Sequence, residues 1–179
     1  MLTTDQTGAI AETAIALAPL ELGIGVSKPL VERPYDLIFE LETGLVRVQC
    51  KWAVRHGDVV TIRCYGGRRN SDGLLRRFYS ADEIDAFAAY CAELRRCHFF
   101  PIDVFPNRRT LDLRLSPARN NQRIGINWAA HYEFAATLAR PHGAIAQLGE
   151  RQRGTLEVAG SSPAGSTLEG VARTAVRTR

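Results

Sequence analysis

Lysine is nearly absent from this sequence of 179 residues, in which Lys28 and Lys51 stand against twenty-one arginines. A lysine in an apolar strand pattern is therefore not the default basic residue of the chain. Lys51 is such a lysine, and a buried amine shifts its pKa more readily than a guanidinium does. The composition thus singles out Lys51 as a candidate for chemistry.

Cysteine is also sparse, and the four cysteines lack the Cys-x-x-Cys spacing that is typical of zinc sites. They lie in apolar patterns, which indicates small buried side chains in a reducing cytoplasm rather than disulfides. Long apolar runs are missing, as is the basic start of a signal peptide. We therefore expect a cytoplasmic location and no membrane partner.

The formal charge of +4 and the pI of about 9.1 are compatible with a nucleic-acid partner but do not prove one. With 45% hydrophobic residues the chain can bury one core. We predict one folded domain over residues 1–140. Residues 141–179 are dominated by Gly, Ala, Ser, Thr and Arg and contain no aromatic residue, so we predict a disordered tail there.

A hairpin pattern carries the strongest functional signal. Residues 35–40 and 45–52 are rich in Val, Ile, Leu and Phe, and a turn ending at Gly44 joins them. Asp36 lies on the first predicted strand. Gln49 and Lys51 lie two apart on the second, so their side chains should point to the same face.

These residue types suit the hydrolysis of a phosphodiester. A divalent cation held by hard oxygen ligands neutralises charge on the phosphate and lowers the pKa of a bound water. Asp36 and Gln49 offer such oxygens, and the Lys51 ammonium could orient the water or stabilise the developing charge. Glu12, the lone acid of an Ala-rich helical pattern over residues 7–18, is costly to bury alone and could complete the cation site.

Over roughly residues 8–138, the order of these motifs resembles the PD-(D/E)XK nuclease superfamily, and within it the bacterial intron-encoded homing endonucleases. Asp36 matches the first acid of the motif, Gln49 the second acidic position, Lys51 the lysine and Glu12 the helix glutamate. Two features depart from the general pattern: Tyr35 separates Pro34 from Asp36, and a neutral glutamine replaces an acid. Such a glutamine is a variant that the homing group uses.

The resemblance implies an α/β restriction-endonuclease-like core, in which helices flank a central mixed β-sheet. It also implies a site-specific endonuclease for double-stranded DNA that depends on Mg²⁺, with Mn²⁺ as a substitute, and that assembles as a dimer or tetramer. Around the metal we expect Glu12, Asp36, Gln49 and the Cys50 carbonyl, with Lys51 assisting the nucleophilic water.

The rest of the chain predicts further strands at 58–65, 97–102 and 110–115, giving a sheet of five strands. A capping box at Ser80 to Glu83 predicts a helix that continues through Leu94. Residues 66–73 are expected to form a flexible basic loop, and residues 128–138 a closing amphipathic helix.

Two basic or polar segments are candidates for DNA contact. The alternative for each is an ordinary solvated surface, because a GC-rich genome places arginine widely. Arginine pairs can reach phosphates, and a loop of amides and arginine can bond base edges. The candidate residues are Arg68, Arg69, Arg76, Arg77, Arg119, Asn120, Asn121 and Gln122.

The tail resembles translated tRNA-gene sequence. Plausible codons for residues 146–151 look like a D-arm, and those for Gly160 to Pro163 look like a T-arm, at the separation of an uninterrupted gene. We hypothesise that the reading frame runs into a tRNA gene, which the element would also target. Two other functions fit the same core: a Holliday-junction-resolvase-like nuclease, and a catalytically degenerate DNA-binding module without a cation.

Overall fold

The computed structural model describes residues 2–70, 73–104, 109–117 and 125–138, and it is confined to the backbone at residues 68–70, 74 and 75. The described part contains one long helix, a large sheet, a separate hairpin and short helical turns. In chain order the elements are α1 (Thr4–Leu20), β1 (Gly25–Ser27), β2 (Leu37–Leu41), β3 (Gly44–His56), β4 (Val59–Arg63), β5 (Tyr65–Asn70), β6 (Gly73–Phe78), β7 (Ala86–Cys91), β8 (Arg96–Pro101), a 3-10 turn (Ile102–Val104), β9 (Thr110–Arg114), a second 3-10 turn (Ala129–His131) and α2 (Phe134–Thr137).

The helix predicted from the Ala-rich pattern is confirmed as α1. A capping box starts it: the Gln6 amide donates to the Thr3 hydroxyl at 3.2 Å, and the Thr3 amide donates to the Gln6 side chain at 2.9 Å. Ala11 and Ile15 are buried against the sheet. The helix therefore lies across β3 and β7, with Glu12 near the start of this contact.

The sheet is organised around β3, a strand of 13 residues. Its first part pairs antiparallel with β2, its last part pairs antiparallel with β4, and its centre pairs parallel with β7. Gly57, at a φ of +58°, supplies the left-handed conformation that the tight turn from β3 to β4 requires. Strands β1, β9 and β8 extend the sheet beyond β2, β4 and β7, giving a mixed sheet of seven strands among the described residues.

The predicted helix after Ser80 is wrong. One capping contact forms, in which the Ser80 amide donates to the Glu83 carboxylate at 3.2 Å, but only a turn follows. Residues 86–91 are strand β7 instead, which lies between β3 and β8 and is buried on both faces. A continuous apolar run does not distinguish a buried strand from a buried helix, so the local capping signal misled the prediction.

Three other expectations need correction. The segment expected as a basic loop is the paired hairpin β5–β6. The closing helix is limited to Phe134–Thr137, preceded by a 3-10 turn. The sheet has more than five strands because β7 and the short β1 were not predicted. Mixed pairing with a helix against the sheet nevertheless confirms the α/β class.

Two apolar clusters cover the two faces of the sheet. One combines α1 with Val48, Phe39 and Phe99, and the other contains Ala53, Phe87 and Phe100. His98 is fully buried, and burial lowers its pKa. No helix among the described residues is long and apolar enough to cross a membrane.

Candidate active site

Asp36 is fixed to β3 by backbone contacts. It lies just before β2, and its amide donates to the Val48 carbonyl at 2.9 Å. In return, the Cys50 amide donates to the Asp36 Oδ2 at 2.7 Å. The carboxylate is therefore held beside the middle of β3, 13 residues before Gln49 in the chain.

Gln49 contacts the same carboxylate oxygen. Its side-chain nitrogen donates to Asp36 Oδ2 and lies 3.3 Å from the Cys50 carbonyl. Gln49 is only 9% exposed. Burial raises the pKa of Asp36, against the opposing effects of the Cys50 amide and the Lys51 charge. The carboxylate therefore lies in a site where an added positive charge would be stabilised.

Lys51 follows on the same face of β3, since Val48, Cys50 and Trp52 all pack with the α1 cluster on the other face. Its Nζ lies 3.3 Å from the Tyr65 carbonyl and 3.3 Å from the Tyr79 hydroxyl. The same atom is 4.6 Å from the centre of the Tyr79 ring. Burial lowers the pKa of Lys51 to about 8. An acid, an amide and an amine are thus arranged on one face of β3.

A protein family and a solved structure resemble this chain. A family model described as PD-(D/E)XK endonuclease matches residues 2–135, about three quarters of the chain. The chain belongs to the PD-(D/E)XK endonuclease family. The solved structure of a bacterial homing endonuclease, I-Ssp6803I, matches with a TM-score of 0.63 and 28% sequence identity, over 85% of this chain and 99% of that chain. No curated protein matches in sequence.

These findings confirm the resemblance read from the sequence, the fold class and the assignment as a phosphodiester-hydrolysing enzyme. This PD-(D/E)XK endonuclease acts on DNA, and members of its family generally use divalent metals. Within the described residues, no three His, Cys, Asp or Glu side chains cluster closely enough to hold a metal ion.

The donor set around Asp36 fits such a cation. The Asp36 carboxylate and the Cys50 carbonyl both face the Gln49 amide nitrogen. Half a turn of that amide exchanges its nitrogen for its oxygen, and the two orientations have nearly the same shape. Three hard oxygens then converge, and these are the ligands that Mg²⁺ and Mn²⁺ prefer.

Glu12 is near this site but is paired elsewhere. Its carboxylate accepts a hydrogen bond from Lys28, which is 66% exposed. Glu12 lines the same groove as Leu37, the neighbour of Asp36, and its charge contributes to the raised pKa of Asp36. The predicted role of Glu12 as a metal ligand thus stays a prediction.

Only some of the residues predicted to contact DNA have side chains that the structure describes. Arg76 and Arg77 are exposed on β6; Arg76 lies 5.2 Å from the Tyr65 ring centre, and Arg77 pairs with Glu83 at 2.6 Å. Arg68 and Arg69 lie on β5, where only the backbone is described. Residues 119–122 and the predicted tail lie outside the described residues.

Sequence reasoning missed Tyr65 and Tyr79. Both contact the Lys51 amine, yet they are 14 and 28 residues away along the chain. No motif spacing connects them to Lys51. They come together only because the hairpin β5–β6 begins and ends next to β3.

Proposed function

We propose that this chain is a Mg²⁺-dependent, site-specific double-strand DNA endonuclease of homing type. The observation that carries the proposal is the convergence of the Asp36 carboxylate, the Gln49 amide and the Cys50 carbonyl, with Lys51 next on the same face of β3. Likeness to I-Ssp6803I supports the homing type. The Lys51 amine distinguishes a catalytic site from a site that only binds a cation.

The residues assigned to the cation are Asp36, Gln49, the Cys50 carbonyl and Glu12. When bound there, Mg²⁺ would neutralise charge on the scissile phosphate and lower the pKa of a water. Asp36 contributes a half-buried negative charge, and the Cys50 amide holds that carboxylate at a fixed position. Glu12 joins only after it has left Lys28.

Lys51 supplies positive charge beside the phosphate. Its amine is half-buried, and an ammonium in a poorly solvated site interacts with developing negative charge more strongly than one in water. The Tyr65 carbonyl and the Tyr79 hydroxyl leave one proton of the ammonium to donate to substrate or water. The water would then attack the phosphorus in line with the leaving oxygen.

The target and the assembly are proposed from other observations. The tail, which resembles a tRNA gene, suggests a tRNA gene as the target. A small protein that reads a long site gains contact surface from symmetric copies, so we propose a dimer or tetramer. DNA contacts are assigned to the arginines of the hairpin β5–β6 and to residues 119–122.

Cleavage of a supercoiled plasmid carrying the uninterrupted tRNA gene tests the proposal. Lys51→Ala should bind the plasmid like the wild type and lose cleavage by at least about a thousandfold, because it removes transition-state charge stabilisation. The matched control is Arg55→Ala, an exposed cation at the end of the same strand, which should cut normally. Cleavage by Lys51→Ala at the wild-type rate would falsify the assignment.

The target is tested separately from the chemistry. Interrupting the tRNA gene on the plasmid should abolish specific cutting, and the codons beneath residues 146–163 should fold as a cloverleaf. Cleavage of four-way junctions regardless of sequence would instead identify a resolvase. Mg²⁺ calorimetry without any heat, together with intact DNA binding, would identify a degenerate binding module.

A further inference from the structure

The amine of Lys51 lies at the base of the hairpin β5–β6. Tyr65 is the first residue of β5, and Tyr79 directly follows the last residue of β6. The Tyr65 carbonyl and the Tyr79 hydroxyl are each 3.3 Å from Lys51 Nζ. Both ends of a basic hairpin therefore contact the same amine.

Tyr79 is itself held in one orientation. Its ring meets the Phe87 ring edge to face, with centroids 5.6 Å apart and planes at 87°. Phe87 pairs with Gln49 across β7 and β3. The contact between the two rings therefore fixes the position of Tyr79 relative to β3. On the other side, a Cβ added at Gly66 would lie 3.0 Å from the Tyr79 hydroxyl oxygen. The absence of a side chain at Gly66 thus makes room for the hydroxyl.

The ring and the hydroxyl act together on Lys51. The ammonium lies 4.6 Å from the ring centre, within the range of a cation–π interaction, and the hydroxyl oxygen accepts its hydrogen bond. A lysine side chain has four rotatable bonds, so two fixed acceptors and a ring face restrict it strongly. The orientation of the amine is therefore set by residues outside the nuclease motif.

We propose that Tyr79 is the positioning residue for Lys51, and that the base of the hairpin β5–β6 sets the position of the amine during cleavage. The inference rests on the proposed function, since it assigns Tyr79 a role through Lys51. Arg76 and Arg77 lie on β6 within three residues of Tyr79, which directly follows that strand. Arg77 lies 5.7 Å from the centre of the Tyr79 ring, so contact between this arginine and DNA would bear on the tyrosine that orients the amine.

The first test compares Tyr79→Phe and Tyr79→Leu in single-turnover cleavage of the supercoiled plasmid with Mn²⁺ at saturating enzyme. Tyr79→Phe keeps the ring and loses the hydroxyl, so the rate should fall about tenfold. Tyr79→Leu loses both and should fall about a hundredfold. Plasmid affinity without metal should stay unchanged in both variants. The control is Tyr90→Phe, a tyrosine that packs on Trp52 away from Lys51.

A double-mutant cycle with Gly66→Ala separates positioning from general damage. The added Cβ would press on the hydroxyl oxygen, whereas the ring carbon beneath it is at an ordinary 3.7 Å. Gly66→Ala should therefore slow cleavage in the wild type and have no further effect in Tyr79→Phe. Additive losses would mean that Gly66 and Tyr79 act independently, which overturns the positioning role.

The outcomes separate this inference from the function on which it rests. Full activity of Lys51→Ala would overturn the proposed function itself. Inactive Lys51→Ala together with wild-type cleavage by Tyr79→Leu would overturn only the role of Tyr79. A loss of plasmid affinity equal to the loss of rate in Tyr79→Phe would show that the tyrosine serves hairpin structure, and would also overturn the role.

Discussion

The side-chain amide of Gln49 donates a hydrogen bond to the carboxylate of Asp36. An acid at position 49 could not approach that carboxylate without a cation between them. Two ionised carboxylates in a partly buried site repel each other, and each raises the pKa of its neighbour. The glutamine therefore allows the side chains at positions 36 and 49 to be in contact without a metal ion. As a metal ligand, however, the neutral amide is weaker than a carboxylate.

Gln49→Glu should reverse this balance. Added negative charge should tighten Mn²⁺ binding by about tenfold, as measured by calorimetry. Without metal, the two carboxylates should lower the free energy of unfolding by about 1–3 kcal/mol. Gln6→Glu makes the same change in the exposed capping box of α1 and should alter neither property. Unchanged Mn²⁺ affinity in Gln49→Glu would remove Gln49 from the ligand set.

We predict that Lys28 competes with the cation for Glu12. The Lys28→Met variant frees the carboxylate, so divalent cations should bind more tightly in calorimetry. The gain should be only a few-fold, because an exposed ion pair is weak. Arg55→Met removes an exposed cation elsewhere and controls for net charge. If both variants tighten binding equally, the effect is general electrostatics and Glu12 has no specific part.

A clamp between Arg47 and Asp85 fixes the start of β7 against β3. The Arg47 guanidinium donates to Asp85 at 2.7 and 3.0 Å, and its backbone amide donates to the same carboxylate at 2.7 Å. The Asp85 amide returns a bond to the Arg47 carbonyl at 2.9 Å. The Arg47 side chain holds the pKa of Asp85 below the ordinary value near 3.8.

Asp85→Asn should therefore lower the free energy of unfolding at pH 7 by about 1–2 kcal/mol, allowing for partial exposure. Because the folded pKa lies below the unfolded one, this stabilisation is present above about pH 4 and is lost as the pH falls through the folded pKa. Urea unfolding at pH 7 and pH 3 measures the difference. A difference that does not shrink between pH 7 and pH 3 would contradict the role of the Asp85 charge.

Local patterns predicted the hairpin and the order of the motif residues, because period and turn chemistry depend on neighbours in sequence. Asp36, Gln49 and Lys51 could be named on that basis, and Asp36 and Gln49 are in contact. Strand β7 could not be predicted, since its identity depends on pairing with β3 on one side and β8 on the other. The contact of Tyr79 with Lys51 is equally non-local, so only the assembled fold reveals it.

The hairpin arginines should differ in their contribution to DNA affinity. No described carboxylate pairs with Arg76, whereas Arg77 is bound to Glu83 at 2.6 Å and must leave it to reach a phosphate. Arg76→Gln should weaken plasmid binding and reduce the slope of log affinity against log salt by about one. Glu83→Gln should strengthen binding, because it releases Arg77 and removes a negative charge. Fluorescence anisotropy over a salt series measures both effects, with Arg55→Gln as the control for a cation outside the hairpin. Equal slopes in Arg76→Gln and the wild type would place the hairpin away from the DNA backbone.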